Sequence, residues 1–274
     1  MTAPSRPARR RGRIGWLLRD AVTIAQRDLR HWTQQPATIV ITWLFPVMIA
    51  LIFGGLFGGA MRVPPGGSYY EFLMPGLFTL TMFFGLEGTR LAVALDASRG
   101  VMDRFRSLPI SSGAVVLGRC LADMLSSAIG LLILIAAGRL LGWQWQRGPL
   151  AAAGAIGLLL LLRFALLWIG MFIGLSQKTL EASPAQLLTW PVGFLSNVFV
   201  DPATMPAWLG ALAAWNPLSA TAAAARQLFG NPTFSSTSGA WAAQHALTLA
   251  TLWPLLIIAA FAPLSARTFR TLGE

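Results

Sequence analysis

The side chains that most often carry catalysis or bind metals are sparse in this chain. Its 274 residues include one lysine (Lys178), one cysteine (Cys120) and two distant histidines (His31 and His245). A phosphate-binding loop needs Gly-Lys-Ser or Gly-Lys-Thr, whereas Lys178 follows Gln177. One cysteine and two separated histidines are too few for a metal cluster, and no hydrolase motif stands out. The sequence therefore predicts no catalysis and no cofactor in this chain.

Three charged side chains interrupt otherwise apolar segments and are candidates for an intramembrane site. Glu87 and Arg90 are three residues apart, so they share a helix face and can form a local ion pair, which we favour over a substrate role. Arg163 lies near the middle of its apolar segment, where an unpaired charge would cost about 2.5 to 3.5 kcal/mol. We expect Arg163 to face the bundle interior or a cavity, with Glu87 or Asp123 as its partner.

These charges belong to a strongly hydrophobic chain. Hydrophobic residues make up 55% of the sequence and charged residues 11%, with a mean hydropathy of +0.62. Because a bilayer core requires about 20 apolar residues per helix, this composition predicts an all-α integral membrane protein with six transmembrane helices. The predicted spans are residues 37–61, 72–95, 121–141, 150–175, 182–200 and 239–266, with a cytoplasmic loop at 96–120, an outer segment at 201–238 and a tail at 267–274.

The positions of the arginines predict the orientation of these spans. Short cytoplasmic loops carry an excess of Lys and Arg, and most basic residues here precede the first span or follow spans two, four and six. Both termini are therefore predicted to be cytoplasmic. The formal charge of +11 is explained by topology and by contact with anionic lipid. Nucleic-acid binding is not expected, because no soluble basic domain exists to carry it.

An amphipathic element precedes the first span. Between Trp16 and Gln34, apolar residues recur at helical spacing while arginines and polar residues fill the other face, and Pro36 limits the helix. We predict that residues 1–36 form a basic leader followed by an interfacial helix on the cytoplasmic membrane surface. This helix could serve as a simple anchor or as a contact with a partner protein, and both roles remain open.

The outer segment contains two short helix-prone pieces, Ala207 to Trp215 and Ala220 to Phe229, with Asn216 and Pro217 between them. Each piece is too short to cross a bilayer, and the two tryptophans of the first piece favour the headgroup zone. The pattern predicts a re-entrant helical hairpin in the outer leaflet. Its broken backbone must be buried in protein or face a water-lined cavity.

Small residues recur at four-residue spacing in two of the predicted spans. Such spacing allows helices to approach closely, and we interpret it as packing rather than as a dimer seam. The pairs are Gly54 with Gly58, Gly55 with Gly59, and Gly170 with Gly174.

The charged cytoplasmic loop at 96–120 contains residues suited to docking on a soluble partner. Phe105 and Leu108 would be apolar anchors, and Arg104 and Arg106 would make charge contacts. Pro109 would limit a short helix. A solvated loop whose arginines only fix the topology would explain the same charges. The candidate docking residues are Gly100, Met102, Arg104, Phe105, Arg106, Leu108, Pro109 and Arg119.

Taken together, these features resemble the type-2 permeases of ATP-binding-cassette exporters, in particular the daunorubicin-efflux permease group. The features are the six spans, the basic N-terminal helix, the loop sequence SRGVMDRFRSLPISSGAVVLGRCLAD and the outer sequence PATMPAWLGALAAWNPLSATAAAARQLF. The resemblance extends from about Trp16 to Arg270. Its most specific residues are Arg104 to Pro109 with Gly118 and Arg119, followed by Pro206, Ala207, Trp208, Asn216 and Pro217.

This resemblance implies that one chain is half of a transmembrane domain. A second permease half, identical or paralogous, would complete the pathway, and two separate ATPase subunits would bind ATP and magnesium beneath it. The resemblance also favours a coupling role for the loop at 96–120. The expected activity is export of an amphipathic drug, antibiotic or lipid-like substrate across a bacterial plasma membrane by alternating access.

Other function classes remain as alternatives. A polysaccharide or cell-wall glycan exporter of the same superfamily would use the same architecture, and aromatic stacking positions along the pathway would favour it. An ion-coupled secondary transporter should show broken helices and buried acids in repeated halves, and neither is clear in the sequence. An integral membrane enzyme would need a catalytic constellation, which the sequence does not contain.

Overall fold

The computed structural model describes Thr23 and residues 36–58, 68–98, 112–177, 184–199, 202–233 and 241–271. The regular secondary structure within these ranges is helical. The helices are α1 (Pro36–Phe57), α2 (Tyr69–Ser98), α3 (Ser112–Leu140), α4 (Pro149–Ser176), α5 (Pro184–Phe194), α6 (Ala207–Trp215), α7 (Pro217–Phe229), α8 (Trp241–Gln244) and α9 (Ala246–Thr271), with a 3₁₀ turn at Pro202–Thr204 before α6.

Four helices in the described part of the chain are long and apolar enough to cross a membrane. They are Tyr69–Ser98, Val116–Leu140, Pro149–Ser176 and Ala246–Phe269, which correspond to predicted spans two, three, four and six. The predicted all-helical membrane protein is therefore confirmed at this level, whereas the count of six spans stays a prediction.

The segments predicted as spans one and five are not among those four. Helix α1 has 22 residues and contains no charged residue, and Val40–Leu56, the part whose side chains the structure describes, is apolar. Helix α5 has only 11 residues and ends at Phe194, and turns follow at 195–199, so the structure has no continuous helix over the predicted span 182–200. At this end the Ser196 hydroxyl donates to the carbonyl of Gly193 at 2.6 Å, and such a local side-chain bond competes with continuation of the helix.

Helices α2 and α4 pack closely because two glycines remove side chains from the interface. A Cβ at Gly170 would lie 2.7 Å from the carbonyl oxygen of Leu86, and a Cβ at Gly174 would lie 2.7 Å from that of Arg90. This is the helix approach that the glycine spacing predicts, and it occurs within the chain. In α1, a Cβ at Gly54 would overlap the ring of Tyr70 in α2.

Helices α6 and α7 form a hairpin with the turn at Asn216. Helix α6 has the predicted bounds, whereas α7 begins at Pro217 and not at Ala220. Proline is favoured in the first turn of a helix, where its missing N–H is not needed. Helix α7 ends at Phe229. The next residue, Gly230, adopts a left-handed conformation (φ 77°), and its backbone N–H donates to carbonyls of the last turn.

The core of the fold lies between α2, α3, α4 and α7. Its largest buried aromatic cluster joins Phe78, Trp143 and Phe229, whose rings meet edge to face with centroids 5.0 to 6.0 Å apart. The indole Nε1 of Trp143 donates to Asn231 Oδ1 at 2.9 Å. Because Asn231 follows α7 and Trp143 follows α3, this cluster fixes the end of the hairpin against the loop between α3 and α4.

Candidate functional site

An ion pair closes the base of the loop between α2 and α3. Arg119 Nη1 donates to Asp96 Oδ2 at 3.0 Å, with side-chain exposures of 16% and 26%. Asp96 lies in the last turn of α2, and Arg119 lies near the start of α3. The pair therefore joins the two helix ends that bound the candidate docking segment.

Most of the candidate docking residues are not described by the structure. Arg119 is the exception, and it bonds to Asp96 within the chain. Its role in docking on another protein stays a prediction. The candidates outside the described residues are Gly100, Met102, Arg104, Phe105, Arg106, Leu108 and Pro109.

Asp123 connects three helices one turn further along α3. Its Oδ1 is 3.6 Å from Arg119 Nε. Its Oδ2 accepts a hydrogen bond from Thr89 Oγ1 of α2 at 2.8 Å and lies 3.9 Å from Arg163 Nη2 of α4. One carboxylate is therefore shared between the arginine at the loop base and the arginine inside the bundle.

Arg163 faces the bundle interior, as the sequence predicts, and its side chain is only 3% exposed. Its Nε donates to Ser127 Oγ at 2.7 Å, and its Nη2 donates to Thr89 Oγ1 at 2.8 Å. Its Nη1 is buried with no hydrogen-bond acceptor among the described atoms. Of the two partners proposed from the sequence, the structure provides Asp123. A buried guanidinium needs such a carboxylate and hydrogen-bond acceptors to offset its desolvation.

Gly85 provides the space that the Arg163 guanidinium occupies against α2. A Cβ at this position would lie 2.6 Å from Arg163 Nε and 2.9 Å from Cζ. Together with Thr89 and Ser127, Gly85 was missed by sequence reasoning, which named only charged residues. The available signal was Gly85 and Thr89 at a spacing of four, which places a small residue and a hydroxyl on one face of α2.

Glu87 and Arg90 form the ion pair that their spacing predicts. Arg90 Nε donates to Glu87 Oε1 at 2.8 Å, and Arg90 Nη2 contacts the same oxygen. Arg90 Nη1 donates to Gln177 Oε1 at 2.6 Å, which ties α2 to the end of α4. These contacts support the interpretation of the pair as a structural one.

In a second group of polar contacts, Asn216 joins the hairpin to the broken helix α5. Asn216 Oδ1 accepts from the backbone N–H of Leu218 at 2.9 Å and so caps the start of α7. Its Nδ2 donates to the carbonyls of Val192, at 2.9 Å, and Leu195. One amide therefore satisfies backbone groups at the ends of two helices.

Arg226 of α7 is 1% exposed and binds backbone carbonyl oxygens from two other segments. Its Nε donates to Phe72 O of α2 at 3.0 Å. Its Nη1 and Nη2 donate to Asn197 O at 3.1 Å and Val198 O at 3.0 Å, in the turns that follow α5. Its Cζ also lies 4.1 Å from the centroid of the Phe72 ring. Arg226 thus holds α2, α7 and the end of α5 together.

Arg226 was not singled out from the sequence. The signal that could have identified it is a single charge in the otherwise uncharged, alanine-rich helix PLSATAAAARQLF. The other predicted outer residues lie at the start of the hairpin. The carbonyl of Pro206 accepts hydrogen bonds from the N–H groups of Leu209 and Gly210, both at 2.9 Å, and Trp208 is 68% exposed.

In the described part of the chain, the polar side chains named above form contacts that connect its helices. Residues 19–229 match the family described as ABC-2 type transporter.

Individual relatives agree with that match. The chain is 30% identical over 272 residues, covering 98% of this chain and 91% of the relative, to the daunorubicin resistance ABC transporter permease protein DrrB1 of Streptomyces coeruleorubidus. It is 24% identical to the putative transport permease ycf38 of Porphyra purpurea, covering 81% and 77% of the two chains. It is 20% identical to the probable doxorubicin resistance ABC transporter permease protein DrrC of Mycobacterium tuberculosis, covering 78% of each. The chain belongs to the ABC-2 type transporter family.

Proposed function

We propose that this chain is the transmembrane permease subunit of an ABC exporter. It moves an amphipathic drug, antibiotic or lipid-like substrate out of the cell by alternating access, and a separate ATPase subunit supplies the energy. The observation that carries this proposal is the similarity over 98% of the chain to a relative named for daunorubicin resistance. The sequence is consistent with an external motor, because its only lysine lies outside any phosphate-binding motif.

The proposed assembly contains two permease halves, identical or paralogous, and two ATPase subunits that bind ATP and magnesium. The loop at 96–120 docks on an ATPase subunit, with Phe105 and Leu108 as apolar anchors and Arg104 and Arg106 as charge contacts. The ion pair between Asp96 and Arg119 supports this role, because a closed base lets the loop push on α2 and α3 together.

The proposed topology has six spans in a bacterial plasma membrane, with both termini cytoplasmic. The hairpin of α6 and α7 re-enters the outer leaflet. Its turn supports this placement, because Asn216 bonds to carbonyls of α5 beside Gly193, and a Cβ at Gly193 would lie 3.3 Å from Leu80. Leu80 is eleven residues from Tyr69, so the turn lies about 16 Å along α2 from its outer end.

A glycan exporter of the same superfamily is the second candidate, and one observation favours it. Partly exposed aromatic rings follow one another along α5 and its neighbours. Trp190 is 48% exposed and Phe194 is 55% exposed. The ring centroids are 4.8 Å apart for Phe84 and Trp190, and 5.9 Å apart for Trp190 and Phe194. Such rings can stack on sugars as well as on flat aromatic drugs.

The proposed function is tested by co-expressing the chain with an adjacently encoded ATPase subunit in a daunorubicin-sensitive bacterium. We expect efflux of daunorubicin, which serves as the probe, only when both proteins are present. A partner whose phosphate-binding lysine is replaced by alanine is the matched control and should abolish efflux. Efflux by the chain alone, efflux with the inactive partner, or ATP hydrolysis by the purified chain would contradict the proposal. Export of a labelled cell-wall glycan but not of daunorubicin would favour the second candidate.

A further inference from the structure

Two exposed arginines lie at the corner of the fold formed by residues 139–150, where α3 ends and α4 begins. Arg139 is in the last turn of α3, and Arg147 is in the loop before α4. In the proposed topology this corner is on the outer side of the membrane. The excess of arginine that orients membrane proteins belongs to cytoplasmic loops. Orientation therefore does not account for these two charges.

The loop at this corner, residues 141–148, is fixed to the end of α7. The backbone N–H of Gln146 donates to the carbonyl of Phe229, the last residue of α7, at 2.6 Å. A Cβ at Gly230 would lie 3.0 Å from Arg147 Cγ, so the stem of the Arg147 side chain rests on the glycine that follows α7. The loop therefore has a defined shape, and the Arg147 side chain leaves it from a fixed point.

The guanidinium of Arg139 lies over an aromatic ring of the same loop. Its Cζ is 4.3 Å from the centroid of the Trp145 ring. Such stacking uses the face of the guanidinium and leaves the N–H groups at its edge for another acceptor. Neither Arg139 nor Arg147 forms a hydrogen bond or ion pair through its guanidinium with any residue that the structure describes. Both arginines therefore have donors available for a ligand.

Glu71 is bonded to this loop but does not neutralise the arginines. Its Oε1 accepts from Gln146 Nε2 at 3.3 Å, and its Oε2 accepts from the backbone N–H of Ser68, just before α2, at 3.3 Å. Both carboxylate oxygens therefore have partners other than an arginine. The two arginines and this glutamate together leave a net positive charge, which fits an anionic ligand.

Two leucines flank the same loop, and they are the two most exposed large apolar side chains that the structure describes. Leu140, at the end of α3, is 90% exposed, and Leu150, in the first turn of α4, is 87% exposed. A small anion would contact the arginines and leave both leucines uncovered, whereas covering the leucines removes apolar surface from water. The corner therefore fits a ligand with an anionic group beside a long apolar part, which is the chemistry of a phospholipid.

We propose that this corner binds an anionic phospholipid. The guanidinium groups of Arg139 and Arg147 bind its phosphate, and its acyl chains lie against Leu140 and Leu150. Arginine donors pair well with phosphate oxygens, and Trp145 is of a residue type that favours the headgroup zone. The bound lipid attaches the loop, and through it the end of α7, to the membrane surface. This inference goes beyond the proposed function, because it requires neither a cargo nor an ATPase subunit.

The test places one probe in the loop. Gln144 is exposed and Cys120 is the only cysteine, so Cys120→Ala with Gln144→Cys gives a single labelling position for a fluorophore. The labelled protein is placed in phosphatidylcholine nanodiscs that contain increasing fractions of brominated phosphatidylglycerol or, in a parallel series, brominated phosphatidylcholine as the quencher. We expect half-maximal quenching by phosphatidylglycerol at a fraction about twentyfold lower, because each arginine near an anionic headgroup raises affinity about fivefold. Equal quenching by the two lipids would overturn the proposal.

Variants of this labelled protein assign the lipid preference to the two arginines. Arg139→Gln together with Arg147→Gln should abolish it. Arg267→Gln is the matched control, because Arg267 is exposed near the end of α9, where Phe269 belongs to the same buried cluster as Cys120 near the start of α3. A preference that survives the double variant, or that is lost in Arg267→Gln, would overturn the proposal. If the double variant fails to accumulate, Arg147→Gln alone should lower the preference about fivefold, and an unchanged preference would overturn the proposal.

One further measurement separates a lipid from a free anion. Excess inorganic phosphate at constant ionic strength should leave the preference intact, because phosphate has no apolar part to cover the leucines. Loss of the preference in phosphate would indicate a simple anion site and would overturn the assignment to a lipid. Daunorubicin efflux does not enter these measurements, so failure of the proposed function leaves this inference standing, and equal quenching leaves the proposed function standing.

Discussion

Two buried arginines lie against the same helix but have different partners. Arg163 rests on Gly85 of α2, and Arg226 rests on Gly76, where a Cβ would lie 3.0 Å from Arg226 Nη2. Their exposures are 3% and 1%. The hydrogen bonds of Arg163 go to side chains of α2 and α3, whereas those of Arg226 go mainly to backbone carbonyls.

This difference indicates different roles. Backbone carbonyls are fixed by the path of the chain, so the contacts of Arg226 cannot rearrange unless α5 or the hairpin moves. Side chains can change rotamer and partner while the helices stay folded. We therefore expect Arg226 to govern how α7 assembles with α2 and the end of α5, and Arg163 to govern movement between α2 and α4.

The largest effect is expected for Arg226→Ala. Each buried carbonyl left unpaired costs about 1 to 3 kcal/mol. Arg226 serves the carbonyls of Asn197 and Val198 in the turns after α5, and it also bonds to the carbonyl of Phe72 in α2. We expect the variant to be degraded, with membrane amounts lowered about tenfold or more. Immunoblots of membranes measure this, with the exposed Arg147→Ala as the control. A normal amount of Arg226→Ala would show that the hairpin does not depend on these bonds.

Arg163→Ala is expected to separate transport from assembly. The change removes the unpaired Nη1 together with the guanidinium. Of the groups it leaves behind, Thr89 still donates to Asp123, and Asp123 still lies near Arg119. We expect ATP-driven daunorubicin uptake by inside-out vesicles with the ATPase subunit to fall about tenfold, with less than a threefold loss in amount. If Arg163→Ala were degraded as strongly as Arg226→Ala, Arg163 would also be required for assembly, which would contradict the difference in role between the two arginines.

The sequence identified one of these two arginines as a candidate and missed the other. Arg163 was identified because a charge in the middle of an apolar segment needs a partner. The turn of the hairpin at Asn216 was also identified, although α7 begins at Pro217 and not at the predicted Ala220. Arg226 was not identified, because its partners are backbone carbonyls that exist only once α5 has ended early. Hydropathy indicated a continuous span over 182–200. A hydropathy profile contains no information on which backbone groups lack hydrogen-bond partners, so it could not indicate the early end of α5.

An intermediate effect is expected for Gly85→Ala. The added Cβ would lie 2.6 Å from Arg163 Nε, so the guanidinium must move away from α2. Overpacking of this kind costs about 1 to 3 kcal/mol. We expect a lower thermal unfolding midpoint and lower daunorubicin uptake. Gly88→Ala is the matched control in the same helix, because nothing beyond the adjacent residues and backbone of α2 lies within 4 Å of the position that its added methyl group would take. Equal effects of the two alanine substitutions would show that the flexibility of α2, rather than the close contact between Gly85 and the Arg163 guanidinium, determines stability and uptake.

The smallest effects, and the finest test of the comparison, are expected from lysine at each position. Lysine keeps the charge but presents a single ammonium group instead of a planar fork. At 163 it can still pair with Asp123, so we expect the amount to be normal and uptake to be lowered only about threefold. At 226 one ammonium cannot span the carbonyls of Phe72 and Val198 as the guanidinium does, so we expect a clear loss of thermal stability. The reverse order, with the larger loss of stability at 163, would mean that charge pairing rather than carbonyl binding holds these helices together.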